Sequence, residues 1–229
     1  MVKMTQPLAS GVRGSALPLI ILGSSSPRRR ELLGHIVAHE VISPDIEEKP
    51  KKSELPEGYA ERNAREKNAA VIQSLARRPV VDGQQFLIIT CDTIVVLGDQ
   101  ILEKPADQAD ASRMLAELSG QTHTVVSGVS LTLLQAIAAG GTARDASLKP
   151  LNTKTFTVKT KVSIKPLTPA EIDAYVATGE PMDKAGSYAA QGIGAYMIER
   201  IDGSYSNVVG LPLTELVRAI TIDFSVSLW

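Results

Sequence analysis

Leu19-Ile20-Ile21-Leu22-Gly23-Ser24-Ser25-Ser26-Pro27-Arg28-Arg29-Arg30-Glu31-Leu32-Leu33 is the stretch from which the rest of this chain can be read. Its opening apolar run has the character of a buried strand. Three serines follow, then Pro27, which suits the first helical position because it has no N–H to leave unpaired. Leu32, Leu33, Ile36 and Val37 recur at helical spacing, so the stretch reads strand, polar turn, helix, with Ser26 as N-cap. Arg28, Arg29 and Arg30 are out of place there, because a helix start carries partial positive charge and each cation costs about 0.3–1 kcal/mol. A bound polyanion reverses that sign, since free N–H groups, serine hydroxyls and guanidinium groups would converge on it. A solvated basic helix start is the alternative.

The chain has 229 residues, enough for one sizeable core in one elongated domain or two lobes. Its formal net charge of −1 gives no global attraction to nucleic acid or to anionic membrane, so anion binding must come from local placement. Aromatic residues make up only 4%, which argues against base-stacking platforms. A single cysteine, Cys91, excludes an internal disulfide framework and suits a reducing compartment. No apolar run reaches the ~18 residues a bilayer span needs. Residues 1–18 lack a signal-peptide core and read as a loose leader. The expectation is a cytoplasmic enzyme-sized protein without nucleic-acid or membrane partners.

Past the opening helix, Val41-Ile42-Ser43-Pro44 reads as a short strand, and Asp45 to Pro50 as a charged loop in which Glu48 is either solvated or a ligand for a hard cation. A helix follows from about Pro56 to Ala76. Ala60, Ala64, Lys67, Val71 and Leu75 share one stripe of it, so Lys67 either snorkels to water or points into a phosphate site. Phe86 to Leu97 is a nearly continuous β-favouring run, as in a strand covered on both faces, and Asp92 interrupts it. A carboxylate there must be protonated, paired or metal-bound. Gly98-Asp99-Gln100 reads as a hairpin turn that returns Lys104 alongside Asp92, and Asp107 caps a helix ending at Gly120.

Thr122–Leu134 and Thr155–Ile164 alternate in the manner of half-buried strands, and residues 135–151 between them read as a mobile hairpin insertion. His123 reads as structural or surface, because no second histidine or cysteine stands at metal-site spacing. Thr168-Pro169-Ala170-Glu171 is a capping box that opens a further helix. Glu180 to Gly194, with three glycines, a proline, Lys184 and Gln191, reads as a ligand loop. A strand over Tyr196–Ile201 and a helix begun by Pro212 close the chain.

Ser24 and the arginines at one helix start, Lys67 and Lys104 as point cations, and Glu48 and Asp92 as hard oxygen ligands or bases together suit a phosphoanhydride with a divalent metal. The same residues resemble the Maf family of nucleoside triphosphate pyrophosphatases. The matching blocks are Ser24–Arg29, Glu47-Glu48, Arg65–Lys67, Asp92-Thr93, Glu103–Pro105, Leu118–His123, Asp183–Gly186, Gln191-Gly192 and Gly203–Leu213, spread over about Leu19 to Leu216.

That resemblance implies an α/β fold with a bent mixed central sheet and two lobes around a cleft, related to the inosine-triphosphate pyrophosphatases. Residues 19–225 would form the single domain. It implies hydrolysis of a nucleoside triphosphate to the monophosphate and pyrophosphate with Mg²⁺ or Mn²⁺. Asp92 matches the base that activates water, and Glu48 with Asp92 the metal side. Ser24, Arg28, Arg29, Lys67 and Lys104 match the phosphate side, while Arg28, Thr93 and Gln191 match the positions tied to substrate choice. Lys184 is a further candidate, and a homodimer is implied as well. Within the family, Arg28, Thr93 and Asp183-Lys184 look like the dTTP/UTP branch, and an amide such as Gln191 can both donate to and accept from a pyrimidine edge. The opposing readings are a non-catalytic nucleotide- or protein-binding regulator of cell division, and a 7-methyl-GTP-directed pyrophosphatase.

Overall fold

The computed structural model describes residues 17–51, 53–138 and 146–228. The opening stretch folds as expected into β1 (Leu19–Gly23), a serine turn and helix α1 (Pro27–Gly34). Ser26 is the N-cap, its hydroxyl accepting from the Arg29 N–H at 3.5 Å. There follow β2 (Glu40–Val41), α2 (Pro56–Leu75), β3 (Gln85–Leu97), β4 (Gln100–Leu102) and α3 (Gln108–Leu118). The chain continues through β5 (Thr122–Ala138), β6 (Ala146–Ile164), α4 (Pro169–Ala177), β7 (Ile198–Asp202), α5 (Tyr205–Val209) and α6 (Leu213–Asp223). The capping box of Thr168 and Glu171 is present at the start of α4.

Among the described residues the strands form one open mixed sheet in the order β2-β1-β3-β5-β6-β7, with β4 on the free end of β3. β1 runs parallel to β2 and β3; the other pairings are antiparallel. One core packs α1 and α6 (Leu33, Leu216, Ile220) on Ile20, Leu22, Leu87, Ile89 and Leu131. On the opposite face Val71 and Leu75 of α2 cover Ile21, Phe86 and Ile88. At the far end of the sheet α3 and α4 pack Met114, Leu115, Ile172 and Tyr175 on Val95, Val125 and Val162. The mixed α/β class expected from sequence is the one observed.

Three local expectations change. β5 is buried along nearly its whole length, not on alternate residues, because β3 and β6 flank it and α2 covers it. Its polar residues turn inward to partners: Ser127 to Thr93, and Thr132 to Asn68. Much of the expected loose connection over 135–151 is strand, with Gln135 paired to Lys149 and Ile137 to Ser147; residues 139–145 lie outside the described part. Tyr196 belongs to a 3-10 turn (Ile193–Met197) that precedes β7, and the short α5 had no counterpart in the sequence reading. The expected leader falls almost wholly outside the described residues.

Candidate active site

The parallel pairing of β1 and β3 sets the site. β1 ends at Gly23 opposite Thr90, and β3 runs on past it to pair with β4 from Val95. Between those pairings Cys91–Ile94 has no strand on that edge among the described residues, and a cavity of about 550 Å³ opens there. It lies outside the carboxyl end of a parallel strand, where α/β sheets place their ligands. Ser24, Arg28, Arg29, Glu48, Lys67, Asp92, Thr93, Lys104, Lys184 and Gln191 all line it, so the structure brings these sequence-derived candidates to one cavity. Arg30 is exposed and does not line it.

At the back stands Asp92, 5% exposed, pointing toward α2. Lys67 donates 2.7 Å to Asp92 Oδ1 and 2.8 Å to Glu48 Oε2, so one buried ammonium joins both carboxylates. Lys67 does not snorkel to water: it is 7% exposed and turned into the cavity. Burial pushes the Asp92 carboxyl up, but the charge and hydrogen bond of Lys67, with help from Arg29 and Asn63, outweigh it and hold the group below its ordinary range. Glu48 goes the other way: partial burial and the nearby Asp92 charge raise its carboxyl above the ordinary range against the opposing pull of Lys67.

The approach of α2 to β3 is set by a glycine. Gly128 of β5 is the cross-strand partner of Asp92, and a Cβ there would lie 2.3 Å from the Ala60 carbonyl. With small Ala60 and Ala64 on its inner face, α2 lies close on the sheet, and Thr90 donates 2.7 Å to the Ala64 carbonyl. That closeness is what lets helix side chains reach Asp92.

The serine turn is braced by Arg29, which donates 2.7 Å to the Gly210 carbonyl, 3.0 Å to Thr93 Oγ1 and 3.4 Å to Ser24 Oγ. Thr93 Oγ1 in turn lies 2.8 Å from Ser127 Oγ. At the mouth Arg28 meets Asp183 at 3.1 Å, and Lys184 donates to Asp183 Oδ1 at 2.6 Å and to the Glu180 carbonyl at 2.7 Å. Lys104 is exposed on the cavity rim. Gln191 sits on a loop moulded on Glu180, which accepts from the Ile193 N–H at 2.9 Å and the Gly194 N–H at 3.4 Å.

Sequence reasoning missed several lining or supporting groups. Tyr59 reaches the cavity wall and donates to Glu103, and burial followed by that acceptor raises its phenol. Asn63 donates 2.9 Å to Asp92 Oδ2. Its signal was available, since it stands one helical turn before Lys67 and therefore on the same face. His123 is structural: 2% exposed, with Nε2 2.8 Å from the Tyr188 hydroxyl.

Fold and cavity together define an α/β protein whose polar cleft sets a buried aspartate and a more exposed glutamate against cations. The chain belongs to the Maf family: the family model described as Maf-like protein matches residues 19–222. A Geobacter sulfurreducens protein named dTTP/UTP pyrophosphatase is 49% identical over 200 residues, covering 87% of this chain and 93% of the relative. A Shewanella oneidensis protein of the same name is 45% identical over 202 residues, 86% of this chain and 93% of the relative. A Sphingopyxis alaskensis protein, also so named, is 44% identical over 214 residues, 93% of this chain and all of the relative.

Proposed function

We propose that this chain hydrolyses dTTP and UTP to the nucleoside monophosphate and pyrophosphate. The relatives named above carry the class of reaction, and the joining of Asp92, Lys67 and Glu48 in one cavity is the observation that supports it here. Ser24 and the N–H groups of the serine turn, with Arg28, Lys67 and Lys104, would hold the phosphates. Asp92, kept ionised beside Lys67, would take the proton of a water whose oxygen attacks the α-phosphorus; the bond to the bridging oxygen then breaks and pyrophosphate leaves. Thr93 and Gln191, with Arg28, would set the choice of base.

Glu48 and Asp92 suit a divalent cation. Both are hard oxygen donors facing one point of positive charge, and no group of three or more His, Cys, Asp or Glu side chains among the described residues forms a complete cage. Mg²⁺ binds through one or two carboxylates, with water and substrate phosphate oxygens filling the shell. When bound, such an ion would neutralise phosphate charge. No helix among the described residues is long and apolar enough to cross a membrane, and we propose a cytoplasmic location.

The test is hydrolysis of dTTP, UTP, CTP, GTP and 7-methyl-GTP with Mg²⁺ or Mn²⁺, assaying pyrophosphate and orthophosphate for the wild-type protein and Asp92→Asn. Pyrophosphate from dTTP and UTP, reduced by about 10²–10⁴-fold in the variant, is the expected result. Orthophosphate as first product, or 7-methyl-GTP as the best substrate, overturns the reading.

A further inference from the structure

We propose that Asn63 is a positioning residue for the Asp92 carboxylate, an inference that rests on the functional reading of Asp92 above. Asn63 has no solvent exposure and stands on α2 one turn before Lys67. Its Nδ2 donates 2.9 Å to Asp92 Oδ2 while Lys67 Nζ donates 2.7 Å to Oδ1. Each carboxylate oxygen therefore has its own donor from the same helix face, and rotation of the carboxylate about its Cβ–Cγ bond would lose one of them.

The amide orientation is fixed by chemistry on both sides. Asn63 Oδ1 accepts from Arg62 Nη1 at 3.2 Å, and a guanidinium can only donate. The opposite end faces an ionised carboxylate, which can only accept, so the amide has one satisfactory orientation. Arg62 is itself held by the Glu54 carboxylate at 2.7 and 2.9 Å and by the Lys49 carbonyl at 2.8 Å. The loop that carries Glu48 is thus tied to Asp92 along two paths. One runs from Glu48 through Lys67 to Oδ1, and the other from Lys49 and Glu54 through Arg62 and Asn63 to Oδ2. The first path is ionic and open to the cavity. The second is neutral and buried at its last step, from Asn63 to Asp92, so it holds the carboxylate in place when phosphate or a cation competes for Lys67 and Glu48.

Removal of the outer partner that orients a metal-ligating side chain lowers activity by about 10–100-fold, and the same scale is expected where Asn63 orients Asp92. Asn63→Leu, of the same branched shape without the amide, is expected to lower kcat for dTTP within that range and leave KM within about threefold, because no substrate contact is lost. Asn63→Asp, which sets an acceptor against Oδ2, lowers kcat at least as far. The control is Asn68→Ala. Asn68 is a buried amide on the same helix, bonded to the Ser130 carbonyl at 3.2 Å and to Thr132 at 2.9 Å, away from the cavity lining. Its loss lowers thermal stability and leaves kcat within about twofold. Asn63→Leu with wild-type kcat, beside an inactive Asp92→Asn, overturns the inference and leaves the reading of Asp92 standing. Equal losses of kcat in Asn63→Leu and Asn68→Ala mark a packing role and overturn it as well. An active Asp92→Asn, or a wild-type protein without turnover, removes the reading and the inference together.

Discussion

The back and the mouth of the cavity are both built from ion pairs, yet they are different kinds of structure. At the back, Lys67 and Asp92 have side chains only 9% and 7% exposed and sit between a helix and a central strand. At the mouth, Arg28 and Asp183 are 28% and 62% exposed and join α1 to the loop after α4. Buried pairs are costly to break because the remaining charge has no water to turn to, whereas exposed pairs contribute about 0–1 kcal/mol. The back is therefore fixed by the fold, and the mouth can exchange its internal partners for an anionic ligand at little cost.

The largest expected effect lies at Lys67. Lys67→Met leaves Asp92 buried with Asn63 as its remaining close partner and is expected to destabilise the fold by about 3–5 kcal/mol in chemical denaturation. The double variant Lys67→Met/Asp92→Asn should recover part of that loss; a single variant as stable as wild type would mean the back is no more rigid than the mouth.

Tyr188, which lines the cavity, rests on His123, and this contact carries a pH signature. Burial lowers the His123 pKa from 6.5 to about 4. Below pH 6.5 the unfolded chain takes up a proton that the folded chain refuses, so stability present above that pH is lost as pH falls toward about 4. The loss amounts to at most about 3 kcal/mol. Denaturation midpoints across this window should fall less steeply in His123→Gln than in wild type.

The smallest stability effect belongs to the mouth. Arg28→Ala should shift stability by less than about 1 kcal/mol while raising KM for dTTP, with kcat little changed. Asp183→Asn, which releases both Arg28 and Lys184, should leave KM unchanged or lower it. Steady-state kinetics beside thermal unfolding separates the two outcomes.

The sequence made the back of the cavity more legible than the mouth. A carboxylate breaking a continuous β run at Asp92, and a lysine on the apolar stripe at Lys67, are local anomalies that demand partners, and each proved to be the other's partner. Ser26 and the capping box of Thr168 were readable because their hydrogen bonds close within three residues. Arg28 and Asp183, by contrast, are 155 positions apart, and nothing near either one announces the pairing. β5 misled for a related reason. Serine and threonine recurring along the strand suggest contact with water, but Ser127 and Thr132 spend their hydroxyls on Thr93 and Asn68. Burial of a polar residue is decided by a partner elsewhere in the chain, which periodicity does not record.

Gly128 carries this further. It has no side chain to act with, yet the spacing between helix and sheet, and hence the reach of Asn63 and Lys67 to Asp92, depends on the methyl group it lacks. In a saturation library of this protein, tolerance at Gly128 should therefore follow that of Asp92 itself. A position without functional atoms would then be as intolerant of change as the carboxylate it faces.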